Sequence, residues 1–197
     1  MAFPDYESAR RYVLHRLETE LPSNLLYHCV AHTRDEVLPA VDRLAAMENV
    51  NGNSLILLRT AALFHDLGYI ERDEGHEAVG AGIADQVLPG FGYTSDQVRV
   101  IHDLITATRL PRTPQSRLEE ILEDADLDTM GRPDFMSRGQ DLRKEWESLG
   151  RFYTDEEWDR RQLDFLREHS YFTASARTLW ETRRQQNTKE LRAALGV

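Results

Sequence analysis

The sequence lacks the features that mark secreted and membrane proteins. Its single cysteine, Cys29, cannot form an internal disulfide. No apolar run approaches the ~20 residues that a membrane-spanning helix needs. The first residues also lack the basic and apolar regions of a signal peptide. These absences predict a cytoplasmic protein that neither spans nor anchors to a membrane.

Several motifs of other protein classes are also missing. The sequence contains no Gly-rich phosphate loop, no internal repeat, no cysteine cluster and no alternation of apolar and polar residues typical of strands. No linker rich in Pro, Gly or Ser divides the 197 residues. The apolar residues instead recur with helical spacing, which predicts an all-α protein with one domain over residues 1–197.

Acidic residues dominate the charge. The 34 Asp and Glu residues outnumber the 24 Lys and Arg residues, for a formal net charge of −10. This charge opposes broad attraction to nucleic acid. We therefore expect a small-molecule partner, and a homo-oligomer is left open.

Capping signals predict where three helices begin. Thr33 with Glu36, and Thr94 with Gln97, have the spacing of a capping box, and Thr154 is a further cap. The first of these boxes predicts that a helix starts at Thr33, so that His32 would lie just ahead of it.

The stretch from Arg59 to Tyr69 combines an apolar helix with polar chemistry. The helix is apolar on most sides, which predicts that it is buried in a bundle. It ends in the adjacent pair His65 and Asp66, whose side chains leave the helix about 100° apart. They can meet at one metal ion only near the helix end, or they form a buried His–carboxylate pair. Gly68 is predicted to end the helix in the left-handed conformation.

A second carboxylate flanks a buried surface later in the chain. Asp126 follows an apolar stripe formed by Leu118, Ile121, Leu122 and Ala125. A carboxylate near a core needs a partner, and a shared metal ion would supply one. The other acids of this helix, Glu119, Glu120, Glu123 and Asp124, are predicted to form a solvated face.

The order His32, His65-Asp66, Asp126 resembles the HD superfamily. The matching contexts are Tyr27-His28 followed by Ala31-His32-Thr33, then Leu63-Phe64-His65-Asp66-Leu67-Gly68, then Asp124-Ala125-Asp126-Leu127. The resemblance implies an all-helical, metal-dependent phosphohydrolase with its metal-binding core at about 23–131. Helices at about 132–197 would pack on this core. It also implies that His32, His65, Asp66 and Asp126, chosen over Asp124, hold a divalent cation, and that His65 and Asp66 are catalytic.

Some members of this superfamily bind two metal ions through two further histidines. His76 resembles the first of them, but Thr108 stands where the second is expected, and His102 lies nearly two turns earlier. His76 and His102 are therefore candidates for second-metal ligands or for residues behind the first ligands, and one ion per chain is expected. The mixed ligands favour Mn, Fe, Co, Ni or Zn.

Two arginines follow the helix that carries His102. Arg109 and Arg112 are candidates for binding a substrate phosphate, and the alternative is that both are solvated loop residues.

Three functions are compatible with this pattern. Hydrolysis of a nucleotide or small phosphoester by a metal-activated water is the leading hypothesis. A catalytically silent sensor that binds a nucleotide and a metal ion is the second. The third, a di-iron oxygenase on the same scaffold, requires two irons, and Thr108 counts against it.

Overall fold

The structure, a computed structural model, describes residues 4–111 and 113–197. These ranges contain nine α-helices, three 3₁₀ turns, one π-helical segment and no strand. The prediction of an all-α protein is confirmed. No helix in the described ranges has the length and apolar character needed to cross a membrane. A cytoplasmic location remains a prediction.

The α-helices are α1 (Tyr6–Glu20), α2 (Leu38–Met47), α3 (Gly52–Phe64), α4 (His76–Val87), α5 (Ser95–Ala107), α6 (Arg117–Asp126), α7 (Phe135–Ser148), α8 (Asp155–Glu168) and α9 (Ala174–Leu195). The π-helical segment, His32–Val37, runs directly into α2. The 3₁₀ turns are Leu67–Ile70, Leu88–Phe91 and Asp128–Gly131.

The chain divides into two compact units. The first contains the residues up to Pro22 and the segment His28–Asp126, and thus α1 to α6. The second contains Ser23–Tyr27 and Leu127–Val197, and thus α7 to α9. A single domain whose C-terminal helices pack on a metal-binding core remains a prediction.

Helix α3 forms the centre of the first unit. It packs against α1, α2, α5 and α6. Because neighbours surround it, its C-terminal half has no exposed surface at Leu58, Ala61, Ala62, Leu63 and Phe64. The predicted buried helix is confirmed, and its last residue leads directly to His65.

Two of the three predicted helix starts are confirmed. The Thr94 hydroxyl accepts a hydrogen bond from the Gln97 amide at 3.3 Å, and the Gln97 side chain accepts one from the Thr94 amide at 2.9 Å. Thr154 and Glu157 form the same reciprocal pair. A capping box depends only on residues within one turn, so the sequence alone defines it.

The helix start predicted at Thr33 is wrong. The chain is already helical at Val30, and Thr33 is buried inside the π-helical segment. Pro39 explains the widened turn. It lacks an N–H, and its ring would clash with the carbonyl four residues earlier in a regular α-helix. The predicted capping box of Thr33 and Glu36 is therefore not at a helix start, and the Glu36 carboxylate contacts His32.

The role predicted for Gly68 is also wrong. Its φ is not positive, so it does not end the helix in the left-handed conformation. A Cβ at this position would instead overlap the backbone carbonyl of His76 and would lie 2.9 Å from the Gly80 nitrogen. Gly68 is required because the backbone after α3 closely approaches α4.

The second unit is held together partly by a buried amide. The Asn187 side chain on α9 donates hydrogen bonds to the carbonyls of Met130 at 2.9 Å and Arg132 at 3.0 Å. These bonds fasten α9 to the 3₁₀ turn at Asp128–Gly131.

Two glycines of α4 provide a test of the close approach. A Cβ at Gly80 would lie 2.5 Å from the Phe64 carbonyl oxygen, whereas a Cβ at Gly82 would have no neighbour within 4 Å. We expect Gly80→Ala to lower the free energy of unfolding by about 1–3 kcal/mol, as overpacked sites do. Gly82→Ala should raise it by up to ~1 kcal/mol, because alanine is the better helix former. Denaturant unfolding measures both, and equal effects would contradict the close approach.

Candidate metal centre

The end of α3 positions the first two side chains. His65 follows Phe64 directly and is fully buried, and Asp66 is 5% exposed. The His65 Nδ1 lies 2.8 Å from the Ala62 carbonyl oxygen, which can only accept, so Nδ1 carries the hydrogen. This bond turns the His65 Nε2 toward Asp66, with 3.2 Å between Nε2 and Oδ2.

The π-helical segment supplies His32, which is 1% exposed. Its Nδ1 lies 3.0 Å from the Glu36 carboxylate. Its Nε2 lies 3.7 Å from the Asp66 Oδ2 and 3.1 Å from the Asp126 Oδ1. One ring nitrogen of His32 thus faces the cluster, and the other faces the carboxylate of Glu36 outside it.

Asp126, the last residue of α6, completes the group predicted from the sequence. Its Oδ1 lies 3.1 Å from the His32 Nε2 and 3.3 Å from the His65 Nε2. Ligand atoms of His32, His65 and Asp66 all lie within 4.8 Å of one another, which is the spacing of a group that could hold a metal ion. The structure therefore brings together all four residues predicted as ligands.

Two atoms of this cluster lack a hydrogen bond although they are buried. Within the described part of the chain, the His65 Nε2 and the Asp66 Oδ2 have no partner of acceptable hydrogen-bond geometry. Buried polar atoms are normally satisfied, and a cation between them would satisfy both. The residues present therefore fit a bound metal ion.

The charges of the cluster shift the pKa values of both histidines. Burial alone would lower the pKa of His32, but its hydrogen bonds to Asp126 and Glu36 and the charge of Asp66 raise that pKa to about 9. Burial also opposes the charged form of His65, whose pKa is nevertheless held well above its ordinary value by Asp66 and Asp126. Both shifts favour the protonated imidazoles, so a metal ion, which needs a free ring nitrogen, competes with a proton at each histidine.

The two carboxylates shift in the opposite direction. Burial would raise the pKa of Asp66, yet the charge of His65 and the contacts with His65 and His76 hold it well below its ordinary value. The pKa of Asp126 is likewise lowered, because the charge of His65 and a hydrogen bond from His32 outweigh burial. Both side chains are thus ionised, as metal ligands must be.

A layer of aromatic rings lies behind Asp66. The His76 Nε2 is 3.5 Å from the second Asp66 oxygen, Oδ1, and its Nδ1 donates to the Asp73 carbonyl at 2.9 Å. The Tyr69 ring stacks on His76 with 3.9 Å between centroids and on His28 with 4.4 Å. The structure thus places His76, one of the two further histidine candidates, beside the centre.

The other predicted positions lie elsewhere. His102 is on a half-exposed face of α5, and its Nδ1 lies 2.9 Å from an Asp85 carboxylate oxygen rather than at the centre. Arg109 is exposed just beyond the end of α5. Arg112 lies outside the described residues.

The prediction of a solvated acidic face on α6 is wrong. Glu119, Glu123 and Asp124 are 8%, 4% and 1% exposed. Helix α6 packs against α2, α3 and α5, so more of its circumference is covered than its apolar stripe indicates. Each of these acids has a polar or charged partner, and only Glu120 remains partly exposed.

Three residues of the site were not found from the sequence. Glu36 was interpreted as part of a capping box. If the helix is placed so that it already includes His32, the spacing of four residues predicts contact between the His32 and Glu36 side chains. Pro39 was the available signal for that correction. His28 lies in a context that matches the superfamily, but no role was assigned to it. The stacking of His28 and Tyr69 could not be predicted, because stacking between distant elements leaves no local pattern.

Comparisons with known proteins agree with this geometry. The family model described as "HD domain" matches residues 32–131. A bifunctional uridylyltransferase/uridylyl-removing enzyme of Cereibacter sphaeroides is 35% identical over 74 residues, which are 38% of this chain and only 7% of that protein. No solved structure matches the chain. On the strength of the family match, which spans half of its length and includes every residue of the cluster, the chain belongs to the HD domain family of the metal-dependent phosphohydrolase superfamily.

Proposed function

We propose that His32, His65, Asp66 and Asp126 hold one divalent transition-metal ion per chain. The observation that carries this proposal is the pair of buried atoms without hydrogen bonds, His65 Nε2 and Asp66 Oδ2, at the point where the four side chains converge. Two imidazoles and two carboxylates suit Mn, Fe, Co, Ni or Zn better than calcium or magnesium, because calcium and magnesium prefer ligand sets made only of oxygen atoms.

We further propose that the protein hydrolyses a phosphoester or phosphoanhydride of a nucleotide or a small metabolite. When bound, a divalent ion would lower the pKa of a coordinated water and offset the charge of the phosphate under attack. The family supports this class of reaction. The name of the relative from Cereibacter sphaeroides includes removal of a uridylyl group, which favours nucleotide esters as the first substrates to test.

The proposal assigns a role to each of several residues in and around the cluster. His65 and Asp66 keep their ligand atoms fixed at the end of a rigid, buried helix, so the site needs little reorganisation. His76 faces the outer oxygen of Asp66 and limits rotation of that carboxylate. Arg109, and Arg112 outside the described residues, remain proposals for binding the substrate phosphate.

The charge of the chain favours a compact substrate. A formal net charge of −10 repels a long polyanion at distances beyond the local site. A nucleotide or small phosphoester carries few charges and would contact only the metal ion and nearby cations.

The metal centre can be tested by metal analysis. We expect about one transition-metal ion per chain in untagged wild-type protein. Asp66→Ala should lose it, because one ligand disappears and the two imidazoles face less negative charge. His102→Ala is the matched control, since this histidine lies on α5 away from the cluster and should leave the metal content unchanged.

The outcomes separate the alternatives. Unchanged occupancy in Asp66→Ala would remove Asp66 from the site. Two irons per chain in the wild type would instead favour the di-iron oxygenase.

Turnover can be tested on a panel of nucleotides, nucleotide esters and simple phosphoesters with Mn²⁺, Co²⁺ or Ni²⁺. We expect the wild type to release phosphate or a phosphorylated product from at least one of them. His65→Ala should lower the rate by more than about 100-fold, because losing a ligand should exceed the 10–100-fold cost of losing a group behind one. His102→Ala should keep the wild-type rate.

A different result would favour the sensor. If the wild type turns over no compound faster than His65→Ala, yet one compound raises its melting temperature, the protein binds that ligand without hydrolysing it.

A further inference from the structure

The two histidines of the proposed centre are supported in different ways. His65 donates its Nδ1 hydrogen to a backbone carbonyl, that of Ala62, at 2.8 Å. His32 presents its Nδ1 to a side-chain carboxylate, that of Glu36, at 3.0 Å. Both acceptors orient the ring, but an ionised carboxylate forms the stronger hydrogen bond and therefore makes the imidazole a stronger donor to a metal ion than a carbonyl does.

The helix itself sets up the contact between His32 and Glu36. They are four residues apart within the π-helical segment, on one side of a single turn. The His32 side chain is 1% exposed and the Glu36 side chain 13% exposed, so solvent screens the pair little. The widened turn ahead of Pro39 brings both residues into one continuous helical run from Val30 to α2.

The opposite side of the His32 ring faces the cluster. With Nδ1 directed at Glu36, Nε2 is the nitrogen that lies 3.1 Å from Asp126 and 3.7 Å from Asp66. Glu36 therefore determines which nitrogen of His32 is left for a metal ion, and at what angle the ring enters the site.

We propose that Glu36 is a positioning residue of the metal centre, which fixes the ring and tautomer of His32 and strengthens His32 as a ligand. This inference rests on the proposed metal centre but not on hydrolysis. Glu36 acts through His32 and does not contact the ion.

The neighbouring acid Asp35 supplies a matched control. Its side chain is 53% exposed and pairs with Arg34, and no contact connects it to His32 among the described residues. Asp35→Asn removes one negative charge at nearly the same place as Glu36→Gln. The two variants therefore separate a specific contact from a general change in charge.

The test is a Co²⁺ titration of metal-free protein, followed by the visible absorption spectrum of bound Co²⁺. We expect Glu36→Ala to weaken Co²⁺ binding by about 10–100-fold and to alter the spectrum, as expected for loss of a group behind a histidine ligand. Glu36→Gln retains an oxygen that accepts from Nδ1, so its loss should be smaller. Asp35→Asn should bind Co²⁺ within about twofold of the wild type, because its charge is exposed and screened.

Each contrary result has a definite meaning. If both Glu36 variants bind Co²⁺ like the wild type, or if Asp35→Asn loses as much affinity as Glu36→Gln, Glu36 has no positioning role. If Glu36→Ala fails to fold, circular dichroism will reveal it, and the comparison of Glu36→Gln with Asp35→Asn then decides. A wild type that binds no Co²⁺ overturns the metal centre and this inference together. Binding without turnover contradicts only the proposed hydrolysis.

Discussion

The first unit is organised around charge that is buried at the end of an apolar helix. Removing His65, Asp66 and their partners from water is costly unless each charge is compensated nearby. Three separate elements meet this requirement: α3 brings His65 and Asp66, the π-helical segment brings His32, and the end of α6 brings Asp126. The packing of these helices and the chemistry of the site therefore depend on one another, because misplacing any of the elements would leave a buried charge without its counterpart.

Much of the fold could be predicted, since helix starts and buried faces depend on local patterns, and the proposed ligands were identified through the resemblance to the HD superfamily. Capping boxes and apolar periodicity involve neighbouring residues, and His65 and Asp66 are adjacent in the chain. The wrong predictions concern residues whose surroundings are determined by tertiary packing. Gly68 owes its identity to the approach of α4, and the acids of α6 are buried by three surrounding helices. His102 was left open because its helical phase could not be fixed without knowing what α5 packs against.

The residues behind the proposed ligands were the least predictable part of the site. His28, Tyr69 and His76 come from three segments and form a stack that no sequence spacing specifies. Their arrangement nevertheless affects Asp66, because its two carboxylate oxygens have different neighbours. One Asp66 oxygen faces the two histidines of the cluster, and the other faces His76, so the carboxylate is held from both sides. The resemblance named His76 as a candidate, but it did not predict the stack that holds the His76 ring.

The π-helical turn has a consequence for comparing this chain with other sequences. A π turn holds about one residue more than an α turn, so removing a single residue between His32 and Val37 could leave an ordinary helix without shifting its ends. A one-residue gap in the middle of this helix would then be a genuine difference in length rather than an alignment error. Such a gap would change which side chain lies beneath the histidine, and it would separate relatives that have a carboxylate there from relatives that support the same ligand by other means.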